Sequence, residues 1–188
     1  DGLILPPMVA PHHVVILPIY KNEEDKQNIL EYCTALKSVL HITKYHHQHL
    51  RVHIDDREIR GGEKTWQWVK KGVPIRLEVG IRDMENNSVF MGRRDKSPKQ
   101  KESVDLQDFI DQVTSILDEI QNELFIRAKT FRDSHIHEIN TLQEFNDFFN
   151  EEQNISRGFA LCYAVDDNII EDFIKPLKVT ARCIPLEQ

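Results

Sequence analysis

Residues 14 to 19, VVILPI, form an unbroken apolar run closed by proline. Successive side chains of a strand point to opposite faces, so a strand apolar at every position must be covered on both. That requirement excludes a sheet with one wet face and calls for helices above and below. The next segment supplies one: NEEDKQNILEYCTALKSVL places Ile29, Leu30, Cys33, Leu36, Val39 and Leu40 at helical spacing behind Asn22, a suitable N-cap. LRVHIDD (50–56) reads as a second strand, and GGEKTWQWVKKG as a short helix stopped by Gly72. VPIRLEVG and SVFMGRRD alternate as two strands of a hairpin, with IRDMENN as the turn. From Ser103 to about Arg132, Leu106, Phe109, Ile110, Val113, Ile116, Leu117, Ile120 and Leu124 recur every three to four residues, which predicts one long helix. The expected fold class is α/β: a mixed β-sheet flanked by helices, followed by a small α+β domain.

That second domain is read from residues 141–188. TLQEFNDFFNEEQ is a helix with a Thr141/Glu144 capping box, GFALCYAV a strand, NIIEDFIKPL a helix and VTARCIPL a strand. The boundary falls near residue 134, dividing the chain into 1–133 and 134–188.

Bulk composition narrows the class further. With 40% hydrophobic and 29% charged residues the chain is expected to be globular. No apolar run approaches the roughly 20 residues that cross a bilayer, and DGLILPPMVAP lacks the basic start and apolar stretch of a signal peptide. The Pro-rich opening without an initiator Met suggests a piece of a longer protein. Cys33, Cys162 and Cys183, odd in number and scattered, fit a reducing compartment, and a cytoplasmic location is expected. The net charge of −7 is unevenly spread: residues 1–101 hold 17 Lys+Arg against 13 Asp+Glu, whereas residues 102–188 hold 7 against 18. Local potential rather than total charge attracts phosphates, so the first half is compatible with nucleic acid.

Several chemistries have no sequence support. RGGEK lacks the spacing of a phosphate-cradling loop, no serine sits in a nucleophile elbow, and no His-Glu-x-x-His occurs. His41, His46, His47, His49 and His53 cross from a helix end into a strand, where their side chains diverge, so a polar connector is expected rather than a metal site. Two cysteines without a Cys-x-x-Cys pair do not make a closed zinc site, and Cys162 and Cys183 are expected to be buried apolar cysteines. Asp55 and Asp56 end a strand beside Arg57, which would pin them as ions and suits structure or recognition better than proton transfer.

The basic residues of the hairpin are the strongest candidates. GVPIRLEVGIRDMENNSVFMGRRD is expected to gather Arg76, Arg82, Asp83, Arg93 and Arg94 at one sheet end, with Arg76 and Glu78 on one strand face. Cross-strand ion pairing is one explanation. Base recognition is the other: a guanidinium fork matches guanine O6 and N7, and a carboxylate accepts from the Watson–Crick N–H groups of an unpaired guanine. Trp66 and Trp68 lie near enough in sequence to stack on such a base, though at i, i+2 they cannot share one helix face.

The ordered blocks VVILPI, RVHIDDREIRGGEKTWQWVKKGVPIRLEVGIRDMENNSVFMGRRD, a long helix, GFALCYAV and TARCIPLEQ resemble the anticodon-binding domain of prolyl-tRNA synthetases, in the archaeal/eukaryotic type that adds a C-terminal domain. KGVPIRLEVGIRD with RRD is the specific block; DDR is shared with related synthetases. The resemblance implies a class II aminoacyl-tRNA synthetase fragment that grips the anticodon of proline tRNA. It also implies a preceding catalytic domain that uses ATP and Mg²⁺, absent from this chain, and a homodimeric whole. By motif match it assigns two anticodon guanines to Arg76, Arg82 and Asp83. A glutamate common in the family is Val69 here, so one contact is lost or replaced. Cys162 matches the first of four zinc-binding cysteines in relatives, Asp167 occupies the second, and Cys183 matches no ligand; no zinc is expected. Backbone phosphates are expected near Arg93, Arg94, Lys96, Lys99 and Lys101. A flavodoxin-like small-molecule domain and a protein-interaction domain remain as alternatives.

Overall fold

The computed structural model describes residues 2–149, 158–165 and 168–183. It divides into two compact units, Asp1–Ile126 and Arg127–Gln188.

The first unit is built around the apolar run. β1 (Val14–Pro18) is buried at all five positions and leads into α1 (Glu23–Ile42), whose first turn is capped by Asn22 accepting the Asp25 N–H at 2.8 Å. A small hairpin, β2 (Lys44–Tyr45) and β3 (Gln48–His49), precedes β4 (Val52–Ile54). α2 (Gly61–Lys71) ends on Gly72 in the left-handed region at φ 76°, the conformation a glycine stop supplies. β5 (Ile75–Val79), the short α3 (Ile81–Glu85), β6 (Ser88–Arg93) and β7 (Lys101–Asp105) follow, and then α4 (Leu106–Asp133).

The strand order is β4-β1-β5-β6-β7, with β4, β1 and β5 parallel and the last two antiparallel. Crossovers between parallel strands are right-handed. The path from β1 to β4 and the path from β4 back past β1 to β5 run in opposite directions, so α1 and α2 cover opposite faces. Packing agrees. Val14, Ile16, Ile75, Leu77, Val79, Val89 and Met91 form the main core with Ile29, Cys33, Leu36 and Leu40 of α1 and Phe109, Val113, Leu117 and Ile120 of α4. On the other face Val15 and Leu17 pack with Trp68 of α2 and Val73.

Three local expectations change. The turn at residues 81–87 is one and a half turns of helix, α3, followed by Asn86 and Asn87, the latter at φ 48°. Asp83 forms that helix because its Oδ2 accepts the Gly80 N–H at 2.9 Å. The long helix starts at Leu106 rather than Ser103, because Asp105 Oδ1 accepts the N–H groups of Gln107 and Asp108. Residues 101–105 instead pair with β6 as β7. The histidine connector, finally, contains a hairpin whose turn residues His46 and His47 both have positive φ.

In the second unit β8 (Ile136–Glu138) pairs in parallel with β9 (Phe159–Leu161), and α5 (Leu142–Phe149) and α6 (Asn168–Ile174) complete it. The capping box is present: Thr141 Oγ1 accepts the Glu144 N–H and the Glu144 carboxylate accepts the Thr141 N–H, both at 3.2 Å. Sequence reading missed β8. Residues 179–183 of the expected VTARCIPL strand are not strand, and residues 184–186 of it, like Asp167, lie outside the described residues.

Candidate nucleic-acid interface

Register fixes where the candidate residues stand. One row crosses the whole sheet: His53, Val15, Arg76, Gly92, Lys101. With period two, Leu17, Glu78, Phe90 and Ser103 share its face. Trp68 of α2 covers the β1 part, whereas Arg76, Glu78, Phe90, Gly92 and Lys101 occupy the β5–β6–β7 part.

Arg76 is 1% exposed, and among the described residues none of its three side-chain nitrogens has a hydrogen-bond partner. Burial lowers its pKa to about 10, the Arg94 charge adds to the effect and Glu78 opposes it. A guanidinium with five donors and nothing to give them to is costly where water is excluded. Glu78, on the same sheet face, is not that partner: its Oε1 accepts from Thr65 Oγ1 of α2 at 2.7 Å and pairs with Lys101 Nζ of β7. That ammonium lies 5.8 Å from the Phe90 ring centroid.

The expected gathering of arginines at one sheet end does not occur. Arg93 pairs with Ile75 and the Arg94 N–H bonds to Pro74, so both stand at the start of β5 near Arg76. Arg82 and Asp83 lie beyond the end of β5, where α3 begins. From Arg76 to Val79 the strand alone rises about 10 Å. β5 itself, lying between Arg76 and Arg82, keeps them apart. Arg82 is exposed and Asp83 partly so, with Oδ2 engaged in the α3 cap.

Arg93 and Arg94, expected at phosphates, have their guanidiniums tied inside the protein. Arg93, on the opposite sheet face, bonds Asp95 through Nε and Nη2 at 3.1 and 2.9 Å and Glu119 of α4 at 2.8 Å. Arg94 is 7% exposed and donates to the carbonyls of Leu3 (2.8 Å), Val69 (3.1 Å) and Gly2, clamping the first residues onto the end of α2. Lys96 and Lys99 are exposed, Lys96 lying 3.7 Å from Asp95. Lys101 is held by Glu78. Val69, the departure from the family pattern, is buried.

The carboxylates and tryptophans separate likewise. Asp55 is 1% exposed and accepts from Arg57 Nε and Nη2 at 2.8 and 2.7 Å and from Trp68 Nε1 at 2.8 Å. The Arg57 guanidinium, more than burial opposes it, holds that carboxyl well below the usual range, so the DDR motif is a brace for α2. Lys64, 2% exposed, donates to the Asp55 carbonyl at 3.1 Å. Trp68 is buried, with His12 and His53 against its ring, whereas Trp66 is 44% exposed. His41 and His49 stack on each other at 5.3 Å, and His46 turns to Asp118. Among the described residues no group of three His, Cys, Asp or Glu could hold a metal ion, and no helix is long and apolar enough to cross a membrane. Cys162 and Cys183, expected to be buried, are exposed free thiols; Cys33 is buried, which pushes its thiol up to about 12.

Sequence reasoning passed over Glu78's double engagement and over Gly92. The signal for Gly92 was present: a glycine inside a strand marks a close approach by something else.

A mixed sheet with helices on both faces, bearing a buried guanidinium whose donors are unused, is an architecture suited to holding a planar acceptor. Residues 13–116 match the anticodon binding domain family, and the chain belongs to it. Over all of its length it is 45% identical to a proline–tRNA ligase of Bdellovibrio bacteriovorus. It is likewise 45% identical to a proline–tRNA ligase of Protochlamydia amoebophila and 38% identical to one of a Roseiflexus species. The chain spans 38% of the length of the first two and 37% of the third. These matches support the anticodon-binding reading, not a flavodoxin-like or pure protein-interaction domain.

Proposed function

We propose that this chain is the anticodon-reading part of a proline–tRNA ligase, and that it distinguishes proline tRNA by two unpaired guanines read at two separate places. Arg76, 1% exposed, would turn outward from the sheet to present its fork to one guanine. Arg82, with the Asp83 oxygen that takes no part in the α3 cap, reads the other. The observation that carries this reading is the set of unused donors on Arg76, buried in the sheet of an anticodon binding domain. A guanine O6/N7 edge would supply the acceptors the protein withholds. The separation along β5 suits two splayed bases better than two stacked ones.

Phosphate contacts would come from Lys96 and Lys99, with Lys101 joining if its pair with Glu78 opens; Arg93 and Arg94 hold the loop that carries them. Residues 1–133 would form the reading domain with its connecting helix, and 134–188 a second domain. In the longer protein a catalytic region would activate proline with ATP and Mg²⁺ and esterify it to the tRNA, in a cytoplasmic homodimer.

The test is equilibrium binding of the chain to a proline anticodon stem-loop and to copies with either guanine changed to adenine, at two salt concentrations. About 1 kcal/mol or more of preference per guanine, kept as salt rises, is expected. Equal, salt-sensitive binding of all three would contradict base readout.

A further inference from the structure

Gly92 has no backbone reason to be glycine: it sits in a regular ladder opposite Arg76 on one side and Lys101 on the other, and its φ is not among the positive values. Space is the reason. A Cβ at this position would lie 2.8 Å from Arg76 Nη2, and 3.5 Å from both Arg76 Cζ and Lys101 Cγ. The Arg76 guanidinium therefore lies over the bare backbone of residue 92, in the slot that a missing side chain leaves beside the Lys101 stem. We infer that Gly92 is a positioning residue for anticodon reading: its absent side chain sets where the Arg76 fork lies, and thereby which base edge it can meet. This rests on the reading that Arg76 contacts a guanine.

The slot is a device for aim rather than for stability. The atom a methyl group would strike is the far end of a flexible side chain with no hydrogen bonds to lose among the described residues. An alanine also suits a strand no worse than a glycine does. Displacement of the fork, not unfolding, is the expected response. A bidentate contact tolerates little displacement, since both N–H groups must align with two acceptors at once.

The experiment compares the unaltered chain with Gly92→Ala, Arg76→Ala and the double variant, each against the proline stem-loop and its two single guanine-to-adenine copies. Gly92→Ala is expected to cut discrimination at one guanine by about tenfold. Discrimination at the other guanine, the salt dependence and the melting temperature should not change. In the Arg76→Ala background, Gly92→Ala should have no further effect, a coupling that general loosening of the sheet would not produce. If Arg76→Ala loses discrimination and Gly92→Ala keeps it, the positioning role is wrong and guanine reading by Arg76 stands. If Arg76→Ala keeps discrimination at both guanines, the reading itself fails. Should Gly92→Ala unfold, recovery of folding in the double variant would support the slot, because Arg76 would then be what the methyl strikes; an unfolded double variant would overturn it.

Discussion

Two buried polar residues with opposite bonding define this molecule at the residue scale. Asp55 is saturated: a carboxylate bonded by Arg57 and Trp68 where α2 meets the sheet. Arg76 is starved, with no partner among the described residues. The first is structural; the second is the residue for which a base is proposed as the missing partner. Asp55→Ala would leave the buried Trp68 N–H unpaired and release the Arg57 fork to solvent, and should cost about 2 kcal/mol in urea denaturation. His13 is also buried and lies against Arg51, whose guanidinium is 2.8 Å from Nε2. Burial and then that charge lower its pKa to about 4. The unfolded chain takes up this proton near pH 6.5 and the folded one only near 4, so stability is fully present above about 6.5 and declines as pH falls toward 4. Unfolding free energy should drop by about 2 to 3 kcal/mol across that window, and His13→Gln should flatten the decline. An equal decline in the variant would contradict the assignment.

Elements were legible in the sequence where one signal spoke alone. β1 followed from its unbroken apolar run, α2 from its glycine stop, and α4 from its repeating Phe109, Val113, Leu117 and Ile120. They were not legible where two signals met. KESVD flows into a strong helical period, and only the side chain of Asp105, which caps α4, separates β7 from it. IRDMENN ends in Asn-Asn, which reads as a turn, while Asp83 caps a short helix first. At the candidate site the residue types were readable, but it is the length of β5 between Arg76 and Arg82 that holds them at different ends. The β2–β3 turn was hidden because His46 and His47 occupy left-handed conformations that glycine or asparagine usually takes. His47→Gly should therefore raise stability by about 0.5 to 1 kcal/mol, measured by thermal or urea unfolding.

Across the whole molecule the acidic net charge conceals a basic region that the fold thins further. Arg93 and Arg94 are consumed by Asp95, Glu119 and backbone carbonyls, so steering toward a phosphate backbone falls to a few lysines. Lys96→Ala with Lys99→Ala should weaken every stem-loop equally and reduce the logarithmic salt slope by about 1.4, the value for two phosphate contacts to a single strand. Discrimination between guanine and adenine should not change. On the proposed reading, identity and affinity would reside in different residues, as they do where phosphate contacts position and base contacts specify. The most direct measurement is a cycle pairing Arg76→Ala with each guanine-to-adenine change in the stem-loop. Arg76→Ala is expected to abolish the preference for one guanine and leave that for the other; an equal loss of affinity for all three stem-loops would contradict base reading by Arg76.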